Sequence, residues 1–232
     1  MFRWTQILMP IANEKNRGYY KIEGAVRAFN FDFKDKIVLD IGSSTGGFTE
    51  IALEHGAKKV IAVEKGTNQM KSPLRYDPRI ELHEKTDIFN VTTKESAATA
   101  MCSAEHKDLA RAARSVPGGH AAVAAHSLVI DNVDLIVADV SFLSLTKILD
   151  YAKKHLSSSN TDFLVMLKPQ FEARPDQLNK GVVKNEKLRR AIIKNFEFWL
   201  KTHGFIVVKK RDNDLAGKNG NLERFYYLKL AK

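Results

Sequence analysis

This sequence predicts an α/β fold, a parallel sheet flanked by helices, and three observations carry that prediction. Short apolar runs alternate with helix-compatible segments along the chain, the pattern of repeated strand–helix–strand units. The run KIVLDI passes into a glycine-rich turn, DIGSSTGGF (Asp40 to Phe48), and then into a helix, as parallel-sheet units do. A chain of 232 residues with 44% hydrophobic and 28% charged residues has the balance of a packed domain, which excludes global disorder.

The elements follow in order. Strands are predicted at KIVLDI (Lys36 to Ile41), VIAVE (Val60 to Glu64), RIELHE (Arg79 to Glu84), DLIVADV (Asp134 to Val140) and DFLVMLKP (Asp162 to Pro169). TGGFTEIALEHGA reads as a helix with Gly56 as its C-cap, and Ser144 to Leu156 as a crossover helix. Asn185 caps EKLRRAIIKNFEFWLKTHG, in which Ala191, Ile192, Asn195, Phe196, Trp199 and Leu200 trace the inward stripe. Lys187, Arg190, Lys194 and Lys201 form its wet side. FIVVKK (Phe205 to Lys210) and RFYYLKL (Arg224 to Leu230) close the chain as a hairpin at the sheet edge. Residues 94–127 break this rhythm: 11 of the 34 are Ala, around a Pro117-Gly118-Gly119 break, which predicts a surface insertion of two short helices or partly disordered chain. The expected organisation is an N-terminal segment, 1–35, followed by one domain, 36–232, that carries the insertion.

Composition narrows the function classes. The single cysteine, Cys102, excludes an intramolecular disulfide framework and a Cys-based zinc site, and fits a reducing, cytoplasmic compartment. The seven His are scattered without an HExxH pattern, so no metal site is expected. No run of about 18 apolar residues occurs, which excludes a transmembrane helix. MFRWTQILMPIANEK reads as mature protein rather than as a leader. The net charge of +10 is unevenly placed. Met1 to Leu39 holds 7 basic and 4 acidic residues, Asp40 to Asp150 holds 12 and 15, and Tyr151 to Lys232 holds 18 and 8. The basic last third predicts a polyanionic partner on that face.

The glycine turn is the strongest local feature. It lacks the Gly-Lys-Ser/Thr ending of a P-loop and the GxGxxG spacing of a nicotinamide site, so phosphate gripping is disfavoured. Asp40 at the strand end, followed by Gly42, Ser43, Ser44, Gly46, Gly47 and Phe48, suits a cationic cofactor with an amino-acid tail, which describes S-adenosylmethionine. Glu64 ends the second strand, where a carboxylate accepts the two hydroxyls of a ribose. Asp87, soon after the third strand, is placed to meet an adenine amine.

DIGSSTGGFTE, VADVSFLSLTKIL, LVMLKPQFEA, KGVV and GNLERFYYL together resemble the TlyA (hemolysin A-like) branch of the FtsJ-like ribosomal RNA ribose 2′-O-methyltransferases. The resemblance covers the chain from Asn16 to its end apart from the Ala-rich insertion. It implies a Rossmann-like, S-adenosylmethionine-dependent methyltransferase fold with a mostly parallel seven-stranded sheet and an antiparallel last strand. It also implies a Lys-Asp-Lys-Glu tetrad, carried onto Lys21, Asp139, Lys168 and Glu223, with Asp139 bordering the cofactor as well. In that family's chemistry a ribose hydroxyl attacks a sulfonium methyl, with Lys168 as base or orienter of the hydroxyl and the other three positioning it and balancing charge. A lysine acts as base only if a neighbouring ammonium and burial bring its pKa down. Asp139 and Lys168 each end an apolar strand, where open parallel sheets bind ligands. The implied partner is ribosomal RNA or a ribosomal subunit, met by Lys180, Lys184, Lys187, Arg189, Arg190, Lys209, Lys210 and Arg211.

Members of the family usually begin with a small S4-type RNA-binding domain, for which the stretch before Lys21 is too short. The family's SRGG is NRGY here, and DNDLAGKNGN replaces a Ser-Pro turn before Glu223. Those two departures motivate a second reading, an RNA-binding relative with little or no turnover. A third, a membrane-active haemolysin, rests on the family's label alone, because the only candidate amphipathic helix (Glu186 to His203) needs its stripe for the sheet. A small-molecule methyltransferase would leave the basic last third unexplained.

Overall fold

The computed structural model describes residues 15–99, 128–217 and 220–231. Seven strands form one sheet: β1 (Ile37–Ile41), β2 (Lys59–Val63), β3 (Ile80–His83), β6 (Leu135–Ala138), β7 (Asp162–Leu167), β8 (Phe205–Asp212) and β9 (Arg224–Leu230). Their order is β3-β2-β1-β6-β7-β9-β8. The first five run parallel, while β9 lies antiparallel between β7 and β8. The mostly parallel seven-stranded sheet with an antiparallel last strand is therefore present, and the expected hairpin sits at its edge.

Because the sheet is covered on both faces, its central strands are apolar on both sides. Leu39, Ile41, Ile61, Ile136, Ala138, Phe163 and Val165 share one core with α3 (Leu145–His155) and α5 (Glu186–Thr202). Val38, Val60, Val137, Leu164, Met166 and Phe225 share the other with α1 (Arg17–Phe29) and α2 (Gly47–Glu54). The N-terminal helix is thus part of the domain's core, through Ile22, Ala25, Val26 and Phe29. Asn16 caps it by accepting from Tyr19 N at 3.1 Å.

Several boundaries and faces differ from expectation. His55, not Gly56, caps α2, and Gly56 takes the left-handed turn one position later (φ 87°). Asn185 caps its helix as predicted, and the expected crossover helix runs over Leu145–His155 with Ser144 as its N-cap. On α5 the buried set is Arg189, Ile192, Ile193, Phe196 and Leu200, whereas Ala191 and Asn195 face solvent. Arg189 within the buried face reaches Asp212, at 2.6 Å, and the carbonyl of Leu222 at 3.3 Å. Two short parallel strands were not anticipated, β4 (Val91–Thr93) and β5 (Leu128–Ile130), which pair with each other on either side of the Ala-rich segment. Most of that insertion, residues 100–127, lies outside the described residues.

The tightest junction joins α1 to α2. A Cβ on Gly47 would stand 2.4 Å from Tyr19 N and from Asn16 Oδ1. Gly47→Ala is therefore expected to push the two helices apart and cost about 1–3 kcal/mol, read as a lowered denaturant midpoint at unchanged slope.

Candidate active site

The turn after β1 is built from left-handed backbone at Gly42 (φ 78°) and Gly46 (φ 91°), where a side chain would strain the chain. The backbone N–H groups of Gly42 and Ser43 donate to Val63 O at 2.9 and 3.3 Å, which ties the turn to the end of β2. Outside the carboxyl ends of β1, β2 and β6 a cavity of about 610 Å³ opens. Gly42, Ser44, Glu64, Asp87 and Asp139 supply its polar wall, with Val63, Ile88, Leu143 and Ile148 among its apolar residues. This is the crevice where the strand order reverses, the usual ligand position in such sheets.

The acids here have distinct surroundings. Glu64 accepts from Ser44 N at 2.9 Å and from Gly66 N at 2.6 Å, which fixes its carboxylate at the rim and leaves lone pairs for a ligand. Asp87 caps a short 3₁₀ turn through Phe89 N and meets Lys65 Nζ at 3.0 Å. Burial opposes its ionisation, but Lys65 and the Phe89 N–H outweigh burial and hold its pKa below the usual range. Asp40 is fully buried; burial, aided by the nearby Asp139 charge and opposed by a 2.6 Å bond from Thr49 Oγ1, pushes its carboxyl up to about 7. Asp40 Oδ1 and Ser43 Oγ are buried without a hydrogen-bond partner among the described residues.

The donor set suits a cationic, unphosphorylated ligand with an apolar ring system. Three carboxylates border the cavity, Lys65 beside them is committed to Asp87, and unpartnered acceptors flank Gly42. S-adenosylmethionine fits that description, and Glu64, Asp87 and Asp139 are the carboxylates that would border it.

The four residues of the tetrad form two ion pairs. Lys168 Nζ lies 2.6 Å from Asp139 Oδ1 and donates to Ser141 Oγ at 2.9 Å. Lys21 Nζ lies 2.7 Å from Glu223 Oε2, with both side chains almost wholly buried. Asp139 belongs both to the first pair and to the cavity wall. Lys168 follows β7, Glu223 precedes β9, and Lys21 comes from α1, so three separate segments meet at one end of the sheet.

Some expected site residues are placed elsewhere. Gly46, Gly47 and Phe48 do not border the cavity: Gly46 abuts Met70 and Leu74, Gly47 abuts α1, and Phe48 is buried beside Phe225. The close approach of α1 requires Gly47, and the left-handed backbone of the turn requires Gly46. Asp40 and Ser43 stand behind the turn instead of in the wall. On the basic face, Lys180, Lys184, Lys187 and Arg190 are exposed. Arg189 is buried in its contact with Asp212, so it is not a surface contact for RNA. Lys209 and Arg211 donate to the carbonyls of Phe29 and Gly24 at 2.6 and 2.7 Å, anchoring β8 to α1, and Lys210 pairs with Glu197 at 2.7 Å. Sequence reasoning missed Ser141 as the partner of Lys168 and Gln69, which accepts from Ser44 Oγ at 2.9 Å. Ser141 lies inside the DVSF motif; Gln69 lies in no recognisable one.

Asp40 makes stability depend on pH. Its folded pKa is raised, so between about pH 4 and 7 the folded chain keeps a proton that the unfolded chain has released. That contribution is complete below the unfolded value and is lost as pH rises toward 7. Asp40→Asn is expected to flatten the decline of melting temperature across this window, measured by thermal unfolding at a series of pH values.

A model of the FtsJ-like methyltransferase family matches residues 15–230. The chain is 31% identical over 214 residues to YqxC of Bacillus subtilis, named as a candidate rRNA methyltransferase, covering 92% of this chain and 64% of that one. It is 32% identical over 215 residues to the 16S/23S rRNA (cytidine-2′-O)-methyltransferase TlyA of Mycobacterium tuberculosis, covering 92% and 68%. Among solved structures, a candidate hemolysin from Streptococcus thermophilus superposes with a TM-score of 0.73 at 29% identity, covering 94% of this chain and 67% of that one. The chain spans about two thirds of the length of these relatives. With the matched family model spanning the fold, the cavity and both ion pairs, the chain belongs to the FtsJ-like methyltransferase family.

Proposed function

We propose that this chain transfers a methyl group from S-adenosylmethionine to a ribose 2′-hydroxyl of ribosomal RNA in the cytoplasm. The observation that carries the reading is the Lys168–Asp139 pair at the rim of an acid-lined cavity, with the Lys21–Glu223 pair at the same end of the sheet. The names of the relatives, which act on rRNA cytidines, support the substrate class. When bound, S-adenosylmethionine supplies an electrophilic methyl on a sulfonium; everything else falls to the protein and the hydroxyl.

With that cofactor bound, the 2′-oxygen would displace sulfur at the methyl carbon, and the hydroxyl proton would need an acceptor on the protein. Of the two roles open to Lys168, its 2.6 Å contact with Asp139 and its bond to Ser141 support the orienting one. Its ammonium donates to the hydroxyl oxygen and fixes the line of attack, while Asp139 is the nearest carboxylate to take the proton. The buried Lys21–Glu223 pair carries no net charge and gives that side of the site a fixed dipole. Removing one member would strand the other as a buried charge, at about 3–5 kcal/mol. Lys180, Lys184, Lys187 and Arg190, all exposed, supply the phosphate contacts.

Against the membrane reading, no helix among the described residues is long and apolar enough to cross a bilayer, and the apolar stripe of α5 is covered by the sheet.

Labelled cofactor and ribosomal subunits or free rRNA test the activity. Wild-type protein is expected to label the RNA on ribose, and absence of transfer under conditions where a full-length relative is active rejects the proposal. Lys168→Ala is expected to abolish transfer while calorimetry still reports cofactor binding; loss of both would make the residue structural. Neutralising Lys180, Lys184, Lys187 and Arg190 together should weaken RNA binding and lower its salt slope by about 0.7 for each phosphate the protein no longer neutralises. Cofactor affinity should stay as it was.

A further inference from the structure

The segments that follow β6 and β7 are tied to each other beyond the end of the sheet. In the β6–β7 pair, Ala138 lies opposite Val165, an offset of 27 residues. The same offset recurs at Ser141, whose hydroxyl accepts from Lys168 Nζ at 2.9 Å. It recurs again at Leu145, whose backbone N–H donates to Glu172 Oε1 at 2.7 Å. The other oxygen of Glu172 accepts from Ser144 Oγ at 2.6 Å. Between these ties Phe142 and Phe171 meet with ring centroids 5.2 Å apart.

Glu172 ends α4 (Pro169–Glu172), the short helix that begins directly after Lys168. Its carboxylate sits over the first turn of α3, where unpaired N–H groups and the helix dipole favour a negative charge. Ser144 relays the contact: it donates to Glu172 and accepts from Thr146 N at 3.3 Å, so capping the helix and holding Glu172 use the same hydroxyl. The segment clamped in this way, Asp139 to Leu143, carries the acid paired with Lys168, the hydroxyl that accepts from it, and part of the cavity wall. Phe142 within it has φ 65°, a left-handed backbone that a bulky residue keeps only where its surroundings hold it.

We infer that Glu172 is a positioning residue: through Ser144 and Leu145 it holds Asp139 and Ser141 in register with Lys168. The inference rests on the proposed methyl transfer for its effect on rate, but its geometric part stands without it.

Two readouts test it on the full-length protein. Glu172→Ala is expected to leave global stability within about 1–2 kcal/mol of wild type while hydrogen exchange at the Leu145 amide rises at least about 10-fold. With the loop released, the single-turnover rate of RNA methylation should fall by roughly 10–100-fold, with a much smaller change in the KM for RNA. Glu172→Gln keeps an oxygen for the Leu145 N–H, and should restore Leu145 protection and most of the rate. A folded Glu172→Ala protein with wild-type Leu145 exchange, or with released Leu145 and a wild-type rate, overturns the inference. If Glu172→Ala does not fold, Glu172→Gln decides: protected Leu145 with near-normal rate supports the inference, and protected Leu145 with abolished rate overturns it. Failure of wild-type protein to methylate any RNA rejects the proposed reaction instead, and leaves the Leu145 exchange comparison to judge the clamp.

Discussion

A parallel sheet buried on both faces leaves polar groups one place to gather, the rim where its strands end. In this chain Val38, Leu39, Val137, Leu164 and Val165 fill the interior, and the first acids and lysine appear where that run of apolar residues stops: Asp139 after β6, Lys168 after β7, Glu64 after β2. Asp40 is the exception, an acid one residue inside its strand, and it bears the consequence as a carboxyl pushed to about 7. Glu64, Asp139 and Lys168 are paired or rim-bound, while the buried Asp40 carboxyl has its pKa raised. Both outcomes follow from the same desolvation penalty.

Pairing explains the rest of the site. Lys21 and Glu223 come from opposite ends of the chain and are nearly inaccessible to water, so each makes the other tolerable there. That pair in turn requires α1 to dock against the sheet, which is why Gly47 admits no side chain and why Lys209 and Arg211 bond to the carbonyls of α1. Residues that look like a basic RNA-facing cluster in sequence therefore divide. Arg189, Lys209 and Arg211 make contacts within the fold, while Lys180, Lys184, Lys187 and Arg190 are exposed.

Much of this was legible in advance. The strands stood out as apolar runs because both faces are buried, and the helix cap Asn185 stood out because its side chain serves the backbone locally. The weak points were elements with little apolar content. β4 and β5 are three residues each, too short for periodicity to register, and the inward face of α5 includes an arginine, which an apolar pattern does not reveal. Within the glycine turn, sequence could not separate glycines that admit a ligand from those that admit a helix, since both need a missing Cβ.

The sequence by itself determined the α/β class, the position of the acid-and-glycine turn, the family resemblance and the candidate tetrad, because each is written in local pattern or contiguous motif. Tertiary structure alone decided which of those residues meet. It grouped the tetrad as Lys168 with Asp139 and Lys21 with Glu223, buried Arg189, tied Lys209 and Arg211 to carbonyls of α1, and brought Glu172 onto the first turn of α3. Partners 23 to 202 residues apart are joined by strand register and helix docking, and neither leaves a mark at any single position in the chain.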